Sequence, residues 1–130
     1  MSAEVRVRLH RGATVVSATG VADGTLLGPL TRALVVATAD ADLVVVDLDE
    51  LTLLDADGLR GIIRAMVDAG RAPRLRLVTR RRSAAAVLAR WRVHHLVPVH
   101  RTVDDAISVH RYLAGRVTEG AASVRRRTSW

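Results

Sequence analysis

The chain has 130 residues, of which 49% are hydrophobic and none is Cys, so we expect one domain with a real core and without disulfides or thiolate metal sites. Its formal net charge is +7, and all twenty basic residues are Arg, which excludes lysine Schiff bases and P-loop lysines. Because the first residues form no long apolar stretch and the longest apolar run is too short to span a bilayer, we expect no membrane insertion and a cytoplasmic location.

A β-hairpin is predicted at the start of the chain. Residues 4–10 alternate between apolar and polar side chains, which places Val5, Val7 and Leu9 on one side of a half-buried strand. A turn containing Gly separates this segment from a second apolar stretch, residues 13–19. Two such runs around a short Gly-containing turn are typical of paired antiparallel strands.

A helix and a buried strand are predicted next. Residues from about 25 to 39 show helical periodicity, and Pro29 favours a helix start near Gly28 because proline suits the first turn. The continuous β-branched run at 43–48 is typical of a strand that is buried on both faces.

The clearest helix signal lies in residues 59–67, where apolar side chains follow i, i+3, i+4, i+7, i+8 spacing. Asp57 is a suitable N-cap for this helix, because its carboxylate can accept hydrogen bonds from the free N–H groups of the first turn. Gly70 is a suitable residue to follow the helix end. A further strand is predicted at 75–79.

The remaining elements are a helix, a short strand and a last helix. We expect the first helix to run from Ser83 as its cap through Trp91, with Trp91 facing inward. A strand at 96–99 should lie at a sheet edge, because it contains proline. The last helix is expected at about 103–114, with Leu113 on its buried side.

The resulting order is ββαβαβαβα, which predicts an α/β fold. An antiparallel hairpin should begin a mixed sheet, parallel strands should follow, and helices should pack on them. We expect residues 1–115 to form this domain. Residues 116–130 have little periodicity and predict a basic, flexible C-terminal tail.

This order, together with short motifs, resembles the STAS domain of anti-sigma factor antagonists over roughly residues 4–114. Three segments are similar to family motifs in sequence and order: GVAD at 20–23 to G-E-L-D, VVDL at 45–48 to V-L-D-L, and LLDADGL at 53–59 to F-I-D-S-S-G-L. Later segments follow the same order, namely RLRLV at 74–78, LVPV at 96–99 and TVDDAI at 102–107.

The resemblance implies a non-enzymatic protein-binding module without a cofactor. Its expected partner is an anti-sigma factor or a related kinase-like regulator, which the family binds when the second Ser of D-S-S-G is unphosphorylated and releases when it is phosphorylated. Asp57 occupies that phosphoacceptor position here, and Ala56 replaces the first Ser. The partner-binding residues predicted in this way are Asp23, Asp55, Ala56, Asp57, Gly58 and Leu59.

An aspartate at the acceptor position changes the regulation that the resemblance implies. Asp57 has no hydroxyl for a Ser/Thr kinase, and its single permanent charge compares with about −1.5 to −2 for phosphoserine. The chain could therefore be fixed in a low-affinity form, or its partner could carry a cationic surface that accepts the carboxylate. Helix capping alone would also explain Asp57.

Other functions have weaker support in the sequence. Five aspartates and glutamates between Asp47 and Asp57 could suggest a Mg²⁺ site in a receiver domain, but a receiver needs a Lys, and Asp47 and Asp49 are better explained as the solvated end of a buried strand. The five histidines show no zinc-binding spacing, so we expect no metal site and exposed histidines. The Arg80-Arg81-Arg82 run is predicted to be a solvated turn.

Two alternative functions remain open at this stage. The chain could be a STAS-like subunit of a larger stress-sensing or transport-associated complex that phosphorylation does not regulate. Its Arg surplus could instead serve nucleic-acid binding, although only three aromatic residues are present for base stacking, and we do not expect a nucleic-acid partner.

Overall fold

The computed structural model describes the backbone of residues 4–21, 24–52 and 57–128, and the side chains of residues 4–20, 28–51 and 59–116. Two short 3₁₀ turns accompany the regular elements. In chain order these elements are β1 (Glu4–His10), β2 (Ala13–Val21), α1 (Gly24–Asp40), β3 (Val44–Asp47), β4 (Leu51–Thr52), α2 (Asp57–Asp68), β5 (Leu75–Val78), α3 (Arg82–Arg90), β6 (Val99–His100) and α4 (Val103–Thr128).

The strands form one mixed sheet in the order β1-β2-β3-β5-β6, and the two-residue β4 pairs with the far end of β2. β1 and β2 are antiparallel, with Val7 opposite Val16, whereas the β2–β3, β3–β5 and β5–β6 pairs are parallel. The predicted fold class, a hairpin followed by parallel strands with helices packed on them, is confirmed. Among the described strands, β4 was not predicted, and β6 overlaps the strand predicted at 96–99 only at Val99.

Helices cover both faces of the central strands. Val44 and Val46 of β3 join the larger core cluster with Leu34 of α1 and Ile63 of α2, and Leu88 of α3 belongs to the same cluster. The intervening Val45 points to the other face and belongs to a second cluster with Ala106 and Ile107 of α4. β3 is therefore buried on both faces, as its continuous apolar run predicts.

The start of α1 lies earlier than predicted. The helix begins at Gly24 rather than near Gly28, and Pro29 lies inside it. Proline there removes one helical N–H donor, at a cost that tertiary packing can offset. Leu30 and Leu34 are 1% and 0% exposed and hold the helix on the sheet through this region.

The end of α2 confirms the role predicted for Gly70. This glycine has φ 74°, a left-handed conformation that non-glycine residues rarely adopt. Its N–H donates to the carbonyl of Val67 at 3.0 Å, and the N–H of Arg71 donates to the carbonyl of Met66 at 2.8 Å. These two bonds form a Schellman motif, which satisfies carbonyls that the helix end leaves free.

The apolar side of β1 is more exposed than its alternating pattern predicts. Val5 is partly buried against the core, but Val7 is 56% exposed and Leu9 is 80% exposed. β1 is the edge strand of the sheet, and the cover that α1 provides is incomplete there. The prediction of a half-buried strand was therefore wrong for its second half.

The predicted boundaries and inward positions of α3 were partly wrong. Its N-cap position is Arg81, no side-chain cap bond forms there, and Ser83 lies within the helix. Trp91 is 39% exposed rather than inward. Leu88 and Ala84 supply the buried side of this short helix.

The last helix is longer than the sequence indicates. α4 runs to Thr128, not to about residue 114, and its 26 residues correspond to a length of about 39 Å. Ala106 and Ile107 pack on the sheet, whereas residues 111–116 are all exposed. Leu113 is accordingly 47% exposed, because this part of the helix has passed the region that the sheet can cover. A separate flexible tail from residue 116 onward stays a prediction.

Candidate functional site

The four parallel strands β2, β3, β5 and β6 all end at one edge of the sheet, and we call this edge the carboxyl edge. β2, β5 and β6 are each followed directly by a helix, and β3 is followed by the short β4 and then by α2, so the starts of α1, α2, α3 and α4 lie near the same edge. Helix starts offer free N–H groups and a partial positive charge, which is why sites in α/β folds commonly lie here. The predicted LLDADGL motif ends at this edge.

Three of the six predicted partner-binding residues, Asp23, Asp55 and Ala56, lie outside the described residues. Asp57 and Gly58 are the first two residues of α2, so the helix begins one residue earlier than a cap at Asp57 predicts. The Asp57 side chain is not described, and the capping role of its carboxylate stays a prediction.

Leu59 is the sixth predicted partner-binding residue, and it lies in the protein interior. Its side chain is 2% exposed and belongs to the larger core cluster. Leu59 therefore anchors the first turn of α2 on the sheet. It leaves almost no side-chain surface for the partner contact that the sequence suggested.

Two aspartates at the end of β3 accept hydrogen bonds from backbone N–H groups at the carboxyl edge. The Asp47 carboxylate accepts a hydrogen bond from the Asp49 N–H at 3.0 Å, and the Asp49 carboxylate accepts one from the Arg80 N–H at 2.5 Å. Both aspartates are half-buried. They follow the buried part of β3 and keep part of their surface in solvent, as predicted, and in addition their carboxylates accept hydrogen bonds from the backbone of the carboxyl edge.

Arg81 forms a second hydrogen bond between the segment after β3 and the segment after β5. Its Nη2 donates to the Leu48 carbonyl at 3.3 Å, and its Nε is buried without a hydrogen-bond partner. Arg80 and Arg82 are exposed, as expected for a solvated turn, but Arg81 is half-buried. The solvated-turn prediction is thus corrected for this residue, which the charge run alone could not distinguish from its neighbours.

Arg60, in the first turn of α2, was missed by the sequence analysis. Its Nε donates to the carbonyl of Trp91 at 3.0 Å, which links the start of α2 to the end of α3. The guanidinium lies near a helix start, where a cation is electrostatically disfavoured. A cation at such a position is the one sequence signal that could have indicated a hydrogen-bonding role.

A polar cavity of about 490 Å³ lies between β1 and the end of β3. Ser17 and Thr19 of β2 form part of its lining, and charged side chains of both signs line the rest: Glu4, Arg6, Arg8, Asp47, Asp49 and Glu50. Within the part of the chain that the structure describes, no group of three or more His, Asp or Glu side chains is arranged to hold a metal ion. None of the described helices combines the length and apolarity needed to cross a membrane.

A buried arginine between two histidines lies on the α4 side of the sheet. Arg76 of β5 is 7% exposed, and its guanidinium contacts His100 Nε2 at 2.9 Å and His110 Nδ1 at 3.3 Å. Because a guanidinium can only donate hydrogen bonds, both ring nitrogens accept and must be unprotonated. Burial and the neighbouring Arg76 charge lower the pKa of both histidines, although Asp105 and Asp42 oppose the shift, and burial lowers the pKa of Arg76 itself.

The start of α4 is joined to the first hairpin by a charged contact. Asp104 accepts hydrogen bonds from His10 and from Arg11, each at 3.0 Å. These two bonds lower the pKa of the Asp104 carboxyl. The expectation of exposed histidines was therefore wrong for His100 and His110 and incomplete for His10, which is hydrogen-bonded to Asp104.

Comparison with known proteins gives a consistent structural result. No family model matches the chain, and no curated relative matches it. An anti-sigma factor antagonist from Mycobacterium paratuberculosis has a similar structure, with TM-score 0.72 and 26% identity over 85% of this chain and 95% of that one. A STAS domain protein from Planctomyces limnophilus has TM-score 0.66 and 16% identity over 85% of this chain and 99% of that one.

Another solved structure in the same group is that of the anti-sigma factor antagonist SpoIIAA in its unphosphorylated form. It has TM-score 0.64 and 15% identity, and the match covers 83% of this chain and 96% of that one. The similarity predicted from motif order is confirmed, since these structural neighbours are anti-sigma factor antagonists with STAS domains.

Proposed function

From the STAS fold that this chain shares with anti-sigma factor antagonists, we propose that it is a non-enzymatic protein-binding module of bacterial signalling. The proposed partner is an anti-sigma factor or a related kinase-like regulator, and the proposed location is the cytoplasm. The similarity to the mycobacterial antagonist is the observation that carries the proposal, because it combines 26% identity with coverage of most of both chains.

The proposed docking surface is the carboxyl edge around the start of α2, including Asp23, Asp55, Ala56, Asp57 and Gly58. The hydrogen bonds of Asp49 and Arg81 support this choice, since they hold the adjoining segments in a defined arrangement. A surface that is ordered before binding loses less entropy when a partner docks.

Asp57 is proposed as a fixed replacement for the reversible phosphate of related proteins. A carboxylate at this helix start carries a constant charge of one, which the helix dipole stabilises. Binding should therefore not respond to a Ser/Thr kinase acting at this position, because aspartate has no hydroxyl to modify. The partner that accepts this charge should present a cationic group to it.

The test is a binding titration of the purified chain with the anti-sigma factors encoded in the same genome, with and without ATP. We expect at least one of them to form a complex whose affinity does not change on incubation with ATP. Asp57→Asn removes the charge at nearly constant shape; if the partner accepts the carboxylate, this substitution should weaken the complex by about ten-fold, the effect of losing one charge-assisted contact. Asp68→Asn, at the exposed opposite end of α2, is the matched control and should bind like the parent.

Asp57→Ser separates the two possible consequences of the aspartate. If Asp57 fixes a low-affinity form, Asp57→Ser should bind more tightly than the parent and should become sensitive to ATP and kinase. If the partner accepts the carboxylate, Asp57→Ser should bind more weakly. The proposal fails if neither the parent nor Asp57→Ser binds any of these anti-sigma factors while both proteins are folded.

A further inference from the structure

The edge strand β1 pairs with another described strand on one side only. β2 pairs with β1 along its full length, whereas within the described residues no strand pairs with its outer side. Its seven residues correspond to about 23 Å of extended backbone, along which roughly every second residue directs its N–H and C=O outward. Such an edge can accept another strand through main-chain hydrogen bonds.

An apolar groove follows this open edge on the α1 side. Val7 and Leu9 form one wall, and the exposed Val36 with Ala33 and Ala37 of α1 forms the other. The groove has a volume of about 700 Å³, and its charged lining residues are Arg32, Asp40 and Asp42.

The opposite side of β1 carries Glu4, Arg6 and Arg8, which give the strand itself a net positive charge. Arg6 and Arg8 alternate with the apolar side chains, and both are exposed. Glu4 pairs with Arg6 at 3.1 Å, so Arg6 is partly neutralised. Arg8 forms no ion pair with any residue in the described part of the chain.

We propose that β1 is a docking strand for an extended protein segment in which aliphatic and acidic residues alternate. Such a segment would add to the sheet beside β1, place its aliphatic side chains in the groove on Val7 and Leu9, and direct its carboxylates toward Arg6 and Arg8. Strand addition of this kind obtains affinity from main-chain hydrogen bonds and specificity from alternate side chains. Because the carboxylates lie on the other side of the sheet, they avoid Asp40 and Asp42.

Charge argues against two other occupants of this edge. Full-length antiparallel pairing of β1 with a second copy, with the apolar sides together, places Arg6 of each copy opposite Arg8 of the other. Like charges directly opposite one another destabilise a strand pair. The Arg-rich end of the chain at 125–127 has the same sign and is disfavoured for the same reason.

The test uses a fluorescently labelled peptide as long as β1, with alternating Val and Glu, titrated with the full chain and followed by fluorescence anisotropy. Two peptides serve as controls: one of the same composition with its Val and Glu residues in separate blocks, and one with N-methyl groups on alternate amides. We expect saturable binding of the alternating peptide alone, because only it offers the side-chain period and the backbone donors together.

Variants of the chain locate the binding site. Arg8→Glu and Leu9→Ser, both at exposed positions, should each weaken binding by about five-fold, the size of a lost cross-strand pair. Arg90→Glu, an exposed charge reversal on α3, should bind like the parent. Amide NMR shifts on peptide addition should cluster in β1 and along α1.

Several results would overturn the inference. Equal binding of the block peptide would show that charge alone is responsible, and equal binding of the N-methylated peptide would exclude strand addition. No binding of the alternating peptide by the folded chain would also refute it. A dimer of the chain alone that Leu9→Ser dissociates would assign the edge to a second copy instead. None of these results depends on whether an anti-sigma factor binds at the carboxyl edge.

Discussion

Truncation of Leu59 tests whether this residue of the family-like motif acts through packing or through direct contact with a partner. Leu59 is 2% exposed and lies in the same cluster as Ile62 and Ile63. Leu59→Ala removes the equivalent of about three buried carbon groups, or roughly 2.4 kcal/mol of transfer free energy. The cavity left behind adds to this cost, so we expect the free energy of unfolding to fall by about 3 kcal/mol in total.

Guanidinium unfolding followed by circular dichroism measures this loss directly. For a chain of this size, about 3 kcal/mol corresponds to a melting temperature lower by roughly 10 °C. Leu113→Ala is the matched control, because Leu113 is 47% exposed in α4 and its truncation should change stability by less than about 0.5 kcal/mol. Partner binding by Leu59→Ala should recover under conditions that keep the variant folded.

The opposite pattern would refute the packing role. If Leu59→Ala unfolds at the same denaturant concentration as the parent and yet loses partner binding, then Leu59 contacts the partner and its burial in the free chain does not persist in the complex. A loss of stability that Leu113→Ala matches would also contradict it, because an exposed leucine should not contribute as much as a buried one.

Two further predictions concern stability. Since the folded chain lowers the pKa of His100 and His110 below the ordinary 6.5, the unfolded chain binds more protons, and the free energy of unfolding should fall as pH drops below about 6.5. The slope of the free energy of unfolding against pH is limited to about 1.4 kcal/mol per pH unit for each histidine, and it should be smaller because solvent screens these half-buried rings. Arg76→Met should reduce this slope. A flat profile between pH 5 and 8, measured by urea unfolding, would contradict the prediction. Gly61→Ala should stabilise α2 by about 0.5–1 kcal/mol, whereas Gly70→Ala should destabilise the chain by about 1 kcal/mol. An added Cβ meets no atom within 4 Å at either glycine, so the difference would come from the positive φ of Gly70, and equal effects in thermal unfolding would refute that reason.

The motif predicted a helix start at the candidate site, but the contacts that support this site could not be predicted. LLDADGL followed by helical periodicity predicted a helix capped by Asp57, and α2 begins at that residue. No local pattern distinguishes Arg81 from Arg80 and Arg82, yet only Arg81 reaches the Leu48 carbonyl. Such contacts join residues more than thirty positions apart in the chain, and they exist only after β3 and β5 have paired.

The sequence by itself determined the order of helices and strands, the two-sided burial of β3 and the glycine-dependent end of α2. These properties follow from periods of two and 3.6 residues and from backbone preferences, which act over a few neighbouring positions. They were sufficient to identify the mixed α/β sheet, and the resemblance of short motifs to the STAS family added the family-like order.

Only the tertiary structure determined which apolar side chains are exposed to solvent. Val7 and Leu113 belong to patterns that predict burial, but β1 is an edge strand and the later turns of α4 lie beyond the cover of the sheet. Tertiary packing likewise brought Arg76 between His100 and His110. Periodicity states which side of an element is apolar, whereas burial depends on whether another element, distant in the chain, reaches that side.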